Sequence, residues 1–181
     1  MRRHILTLIT LLCLATVFSN TAYARKHRPV HKTQPSFSQL FDTDSISADS
    51  ILNFAQSLIG TRYRSAMSDP LRGFDCSGFV SYVFKKFNFN VPRSSREFIS
   101  VGEKIKLEDA KPGDILLFTG TKKHARGIGH IAIVMFNWAG SLKFIHATSG
   151  KEHGVTITNM DDTYRHRFVQ VIRLLKLNDA S

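Results

Sequence analysis

The pattern of apolar and polar residues changes along the chain, from helical spacing in the first half to short strands in the second. Apolar residues three and four apart predict a helix over 48–59, which Gly60 ends, and a second helix over 77–87. The segment 93–98 is expected to open a third, short helix. The second half predicts five strands separated by turns that contain Gly or Asp, at 115–118, 131–136, 142–146, 155–158 and 168–174.

The order of these elements determines the fold class that we expect. Helices followed by consecutive strands, with no helices between the strands, predict an α+β domain with an antiparallel sheet. A parallel α/β sheet would need crossover helices that the pattern lacks. The chain of 181 residues is of a size for one domain, which we expect over 46–177, followed by a tail over 178–181.

Residues 1–24 have the layout of a secretory signal peptide. Arg2 and Arg3 precede a short apolar run, and Ala22-Tyr23-Ala24 is a small-residue cleavage site. The apolar run is too short to span a bilayer comfortably, so we expect no retained transmembrane segment. Residues 25–45 are basic and poor in apolar residues, which predicts a flexible linker. We therefore expect export to the periplasm or the extracellular space.

The charge of the chain bears on its partners. Lys and Arg number 25 against 14 Asp and Glu, a formal net charge of +11. Such a balance attracts anionic partners. For an exported protein, anionic wall polymers or a membrane surface are better candidates than nucleic acid, and no nucleic-acid partner is expected. The alternative is that the charge only keeps a small protein soluble.

The number and position of the cysteines indicate a candidate reactive thiol. The chain has two, and removal of the signal peptide takes Cys13 away, so Cys76 is left without a disulfide partner. A lone thiol in an exported protein is either an inert core side chain or a reactive group. Cys76 stands where the second helix begins, and Asp75 is a candidate N-cap. The unpaired N–H groups of that first turn, including that of Ser77, favour a depressed thiol pKa and offer an oxyanion site.

Two histidines are candidate partners of this thiol. His130 lies at the start of one predicted strand and His146 at the end of the next, so antiparallel pairing would bring them together as acid/base and orienting group. The first alternative is zinc bound by these histidines and Cys76, with His153 as an assumed fourth ligand. No Cys-x-x-Cys or His-x-x-x-His pair is present to nucleate such a site, so no metal or other cofactor is expected. The second alternative is a purely structural role for the histidines.

Six segments in this order resemble the NlpC-type family of papain-like cell-wall peptidases, particularly the small periplasmic murein endopeptidases of Gram-negative bacteria. The resemblance covers roughly residues 51–174. The segments are Gly60-Thr61-Arg62-Tyr63-Arg64, Phe74-Asp75-Cys76-Ser77-Gly78-Phe79-Val80, Pro92-Arg93-Ser94-Ser95-Arg96-Glu97, Lys111-Pro112-Gly113-Asp114-Ile115, Gly129-His130-Ile131-Ala132-Ile133-Val134 and Phe144-Ile145-His146-Ala147.

The resemblance implies a papain-like α+β core with the cysteine at a helix N-terminus that faces an antiparallel sheet. It implies that Cys76 is the nucleophile, His130 the acid/base and His146 the orienting residue, and that Tyr63 binds substrate or the oxyanion. The implied activity is metal-independent hydrolysis of peptide bonds in peptidoglycan, within stem peptides or at crosslinks. Acyl transfer or amidase chemistry on the same scaffold, and a non-catalytic wall-binding protein, are the alternatives.

The chain departs from the family pattern at two places. Ser65-Ala66 stands where the family often has two glycines, so we expect a differently shaped cleft wall there. The basic stretch over 119–129, which contains Lys122, Lys123, His124 and Arg126, is expected to border the cleft, either contacting anionic substrate groups or simply exposed to solvent.

Overall fold

The computed structural model describes residues 46–121 and 126–178. The predicted signal peptide and linker, residues 122–125 of the basic stretch, and the last three residues of the predicted tail lie outside the described residues. The helices are α1 (Ala48–Gln56), α2 (Cys76–Lys86) and α3 (Asp162–Arg167), and two 3-10 turns cover Glu97–Ser100 and Lys176–Asn178. The strands are β1 (Ser68–Asp69), β2 (Gly73–Phe74), β3 (Glu103–Ile105), β4 (Ile115–Thr119), β5 (Ile128–Trp138), β6 (Ser141–Ala147), β7 (Val155–Asn159) and β8 (Phe168–Arg173).

The first two predicted helices are confirmed. Helix α1 begins where Ser47 caps it by accepting a hydrogen bond from the Ser50 amide, and it ends three residues before the predicted end. In the segment expected to open a third helix, a short 3-10 turn begins at Glu97 and runs to Ser100. None of the helices in the described part of the chain is long and apolar enough to cross a bilayer.

The main sheet has six strands in the order β3-β8-β4-β5-β6-β7, and every neighbouring pair is antiparallel. The α+β fold class with an antiparallel sheet is therefore confirmed. All five predicted strands are present, although β5 extends beyond both predicted ends. Sequence patterning missed the short strands β1, β2 and β3, because two or three residues cannot show a period. It also missed helix α3, which has six residues and no buried side chain to mark an apolar face.

The sheet packs on both faces, which explains why its central strands are apolar at nearly every position. One face packs on helices α1 and α2 through side chains such as Leu117, Ile131 and Ile145. The other face packs on the segment that contains α3, through Phe118 and Phe144. Burial of apolar surface stabilises the fold by roughly 25 cal/mol per Å², and both faces of the sheet bury such surface. The sheet therefore holds the side chains at its ends in fixed positions.

One end of the sheet is held by a buried ion pair. Arg173, the last residue of β8, donates from Nε to Asp114 Oδ1 at 3.0 Å and from Nη2 to Oδ2 at 2.9 Å. The Asp114 side chain is fully buried, and its carboxylate also accepts the Lys111 amide at 2.8 Å. Asn178, the first residue of the predicted tail, donates from its side-chain amide to the Pro112 carbonyl nearby at 2.9 Å.

Candidate active site

Cys76 is the first residue of α2, as predicted. Asp75 is the N-cap, and its Oδ1 accepts the Gly78 amide at 2.6 Å. A side chain at Gly78 is excluded, because a Cβ atom there would collide with the Met67 carbonyl oxygen. The Asp75 cap and the nearby Met67 carbonyl therefore fix the N-terminus of α2, and the Cys76 side chain is half-buried there.

Arg93 locks this helix start, a contact that sequence patterning did not reveal. Its Nη1 and Nη2 donate to the two Asp75 carboxylate oxygens at 3.0 and 2.7 Å, and Nη1 also donates to Ser77 Oγ at 3.0 Å. The Ser77 hydroxyl is thus part of the support behind the helix. Any contribution of Ser77 to substrate binding has to come from its backbone N–H, which is directed at the Cys76 sulfur.

His130 and His146 are brought together, although not as directly paired residues. The register pairs Ile133 with Ile145, so the two histidines are diagonal neighbours on one face of the sheet. His130 Nε2 and His146 Nδ1 lie 2.8 Å apart. The Ile131 amide on β5 is one of the backbone N–H groups that lower the pKa of the Cys76 thiol, and Cys76 and His130 line the same cleft.

A fourth polar group, which sequence reasoning missed, completes the chain of contacts. His146 Nε2 lies 2.9 Å from Thr158 Oγ1 on β7. For His130 to keep a lone pair on Nδ1, its Nε2–H has to donate to His146 Nδ1. His146 then carries its own proton on Nε2 and donates to the threonine hydroxyl. In this tautomer arrangement, His130 Nδ1 is the basic nitrogen that can take a proton from the thiol.

Burial determines the protonation of the site. Burial, and then His146 and the positive charge of Arg167, hold the pKa of His130 well below its usual 6.5. Burial and Arg167 lower the pKa of His146 to about 4. Both imidazoles are therefore neutral at neutral pH.

The thiol is shifted in the opposite direction. Burial, followed by the negative charge of Asp75, raises the pKa of the Cys76 thiol above its ordinary 9.0, although three backbone N–H groups oppose this shift. The expectation of a depressed thiol pKa is therefore wrong for the free protein. A helix N-terminus alone does not offset the loss of water around a buried sulfur. At rest the site holds a neutral thiol and a neutral imidazole.

A cleft of about 430 Å³ opens over these groups. Its lining residues are Tyr63, Cys76, Thr121, Gly129, His130, Thr148, Ser149, Gly150, Tyr164 and Arg167. The stretch over 119–129 borders the cleft as predicted, through Thr121 and Gly129. Within the described residues, no group of three or more His, Cys, Asp or Glu side chains is arranged to hold a metal ion.

Tyr63 lies at the cleft wall, where its amide donates to the His153 carbonyl at 2.8 Å. Burial, and then the charge that Cys76 carries when it ionises and the negative charge of Asp75, raise the pKa of its hydroxyl, so it is a neutral hydrogen-bond donor. Close to it, Ala66 has a φ of 59°, which is left-handed backbone. Glycine is the residue best suited to that conformation. Ala66 therefore adopts a backbone conformation that a glycine at this position would adopt with less strain.

Tyr164 and Arg167, both on α3, are cleft residues that sequence reasoning missed. The available signal was Asp161, which caps α3 by accepting the Tyr164 amide at 2.9 Å. The Tyr164 ring lies 5.8 Å from the His146 ring and 6.3 Å from the His130 ring, centroid to centroid. This helix therefore covers the two histidines from the face of the sheet opposite to α2.

Known proteins are similar to this chain in sequence and in fold. The chain is 37% identical over 123 residues to the gamma-DL-glutamyl hydrolase of Bacillus subtilis, a match that covers 67% of this chain and 28% of that protein. It is 29% identical over 189 residues to a probable endopeptidase NlpC homolog of Haemophilus influenzae, covering 91% and 93%. The solved NlpC/p60 domain of the peptidoglycan hydrolase SagA superposes with a TM-score of 0.58 at 28% identity, covering 71% of this chain and 100% of that one.

A family model matches residues 60–173, from the segment before Tyr63 to the last residue of β8. That range contains the cysteine, both histidines and the whole cleft lining. The match extends over more than half of the chain, and it agrees with the resemblance seen in the motifs and with the fold. The chain belongs to the NlpC/P60 family.

Proposed function

We propose that the protein is an exported cysteine endopeptidase that hydrolyses peptide bonds in peptidoglycan, with Cys76 as nucleophile, His130 as acid/base and His146 as orienting residue. The observation that carries the proposal is the 2.8 Å contact between His130 Nε2 and His146 Nδ1, in a cleft that Cys76 also lines. The NlpC/P60 relatives with endopeptidase and peptidoglycan hydrolase in their names support the substrate class.

The first half of the reaction forms an acyl-enzyme. Because thiol and imidazole are both neutral at rest, His130 Nδ1 takes the thiol proton as the sulfur attacks the scissile carbonyl carbon. The carbonyl oxygen becomes an oxyanion, which the backbone N–H groups at the start of α2 and the Tyr63 hydroxyl stabilise. The C–N bond then breaks, and His130 gives its proton to the departing amine. The product is a thioester on Cys76.

The second half releases the acyl group. The neutral His130 removes a proton from a water molecule, which attacks the thioester carbonyl. The thiolate leaves and regains the proton from His130. In both halves the imidazolium forms beside His146, whose neutral Nδ1 accepts the His130 Nε2–H and keeps the ring in place. No metal or other cofactor takes part.

Export and partners belong to the same proposal. The signal peptide over 1–24 directs the protein to the periplasm or the extracellular space, where its substrate is found. The basic linker over 25–45 is left on the mature protein. Its charge attracts anionic wall polymers or a membrane surface, and no transmembrane segment is retained.

The test is digestion of purified peptidoglycan, followed by mass spectrometry of the released fragments. New amino and carboxyl termini at one type of peptide bond are expected with wild type and not with Cys76→Ala. Acyl transfer would instead give fragments that carry an added amine or lipid. Binding to the polymer with no new termini would mean that the protein is a wall-binding protein, and the proposed function would be wrong.

A further inference from the structure

Arg167 is held rigidly at the cleft wall. Its Nε and Nη2 donate to the Thr119 carbonyl oxygen at 3.2 and 2.7 Å. Its guanidinium carbon lies 5.5 Å from the Tyr164 ring centroid, a cation–π contact. The register of β4 shifts next to Thr119, and this carbonyl is the one that Arg167 holds. The side chain is therefore pre-positioned before any ligand arrives.

The charge of Arg167 has no carboxylate partner in the described part of the chain. The two ion pairs found there join Arg93 to Asp75 and Arg173 to Asp114. Asp161 and Glu152 are near enough to raise the pKa of Tyr164, but neither forms an ion pair with Arg167. A guanidinium has five N–H donors, and the contacts within the described residues use two of them. A half-buried cation with unused donors thus borders the cleft that Cys76 and His130 line.

We propose that Arg167 binds a free carboxylate of the peptide substrate and so selects substrates that carry one beside the scissile bond. The inference rests on the proposed function, since it names the feature that the same cleft recognises. Guanidinium and carboxylate match in shape and charge, and a planar, pre-positioned fork loses little entropy when it binds. Arg167 is a specificity-determining residue in this account, and the acyl-transfer chemistry stays with Cys76 and His130.

Binding of that carboxylate also promotes the chemistry. The charge of Arg167 disfavours protonation of both histidines, yet His130 has to become an imidazolium during attack. A carboxylate bound to Arg167 offsets its charge and makes that protonation easier. A substrate without the carboxylate should therefore lose in kcat as well as in KM.

The probe is a synthetic peptidoglycan stem tetrapeptide with all its carboxylates free, compared with versions in which one carboxylate at a time is converted to a carboxamide. Wild type should show a kcat/KM at least about tenfold lower for one of the amides. Arg167→Gln should reduce that preference to near one, because it lowers kcat/KM for the free peptide and does not lower it for the amide. Arg167→Lys should retain part of the preference, since lysine keeps the positive charge but lacks the planar guanidinium that binds a carboxylate through two N–H groups.

Arg165 supplies a matched control on the same helix. It is exposed, and its Nη2 donates to the Gly140 carbonyl at 2.9 Å, outside the residues that line the cleft. Arg165→Gln removes the same charge and should keep the full preference of wild type. Equal discrimination in Arg167→Gln and wild type would overturn the inference, as would an equal loss on both peptides or a wild type with no preference. If Arg167→Gln does not fold, an unreduced preference in Arg167→Lys would overturn it.

A binding measurement separates this inference from the proposed function. Calorimetric titration of the inactive Cys76→Ala protein with the free and amidated tetrapeptides needs no hydrolysis. Tighter binding of the free peptide by about tenfold, abolished by adding Arg167→Gln, supports the inference even if wild type cleaves neither peptide. Equal affinities would reject the carboxylate site and leave the hydrolase proposal to its own test.

Discussion

Strand β8 has an arginine at each end, since Arg173 is its last residue and Arg167 directly precedes it. Arg173 is buried and paired through two hydrogen bonds with the buried Asp114. Within the described residues, Arg167 donates hydrogen bonds only to a backbone carbonyl and stacks on Tyr164, and it borders the cleft with Cys76 and His130. An arginine therefore stabilises the sheet through a buried ion pair at one end of β8, whereas at the other end an arginine carries a charge that borders the cleft. The comparison predicts that changes at one end affect stability and changes at the other affect turnover.

The largest expected effect is at the cleft end. His130→Ala removes both the base that takes the thiol proton and the acid that protonates the leaving amine. Peptidoglycan hydrolysis should fall by about 10²–10⁴-fold. The free energy of unfolding, measured by urea titration, should fall much less than for a change at Asp114. Normal turnover in a folded His130→Ala protein would contradict the assignment of the acid/base.

The opposite end should show the opposite pattern. Asp114→Ala removes the buried carboxylate that accepts two hydrogen bonds from Arg173, which should cost about 3–5 kcal/mol of unfolding free energy. Turnover should survive at temperatures where the protein is still folded. The control is Glu103, an exposed residue of β3 that lies opposite Arg173 in the strand register. Glu103→Ala should change the unfolding free energy by about 0.5 kcal/mol or less. A similar small cost for Asp114→Ala would mean that this end of the sheet is not held by the ion pair.

His146 should show a graded effect, because it orients His130 without exchanging protons with substrate. His146→Ala should reduce hydrolysis by roughly 10–100-fold. His146→Asn or His146→Gln should retain more activity, since an amide oxygen can accept the His130 Nε2–H. Thr158→Val, one hydrogen bond further from the thiol, should cost less than His146→Ala. Wild-type rates in His146→Ala would make His146 a bystander and reduce the triad to a dyad.

The smallest expected change is in the pH dependence of thiol alkylation. Because burial raises the pKa of Cys76, the thiolate population grows only as pH rises above the ordinary value of 9.0. Alkylation by iodoacetamide without substrate should therefore be slow at pH 7 and should accelerate above pH 9. The Cys76→Ala variant, made without the proposed signal peptide and therefore without Cys13, is the blank, since it contains no other cysteine. Full-rate labelling below pH 7 would restore the expectation of a depressed pKa that the sequence suggested.

The residues that the sequence predicted correctly depend on local structure. Asp75 and Cys76 mark a helix start through cap chemistry that a few neighbouring residues determine. His130 and His146 could be brought together because a short connection between two strands favours antiparallel pairing. Their diagonal offset needs the register, which the sequence pattern does not give.

The residues that the sequence missed depend on tertiary neighbours. Arg167 reaches Thr119 only because β8 inserts between β3 and β4, an order that no periodicity shows. Thr158 reaches His146 only through the register of β6 and β7. The sign of the thiol pKa shift depends on burial, which outweighs the helix terminus and becomes visible only once the cleft is assembled.

The most direct test of the account is detection of the acyl-enzyme on Cys76. Wild-type protein mixed with a peptidoglycan stem peptide and quenched rapidly in acid should show, by intact-protein mass spectrometry, one adduct with the mass of the acyl fragment. Peptide mapping should place that adduct on Cys76, and Cys76→Ala should show neither adduct nor hydrolysis. An adduct on another residue, or continued hydrolysis by Cys76→Ala, would contradict the account.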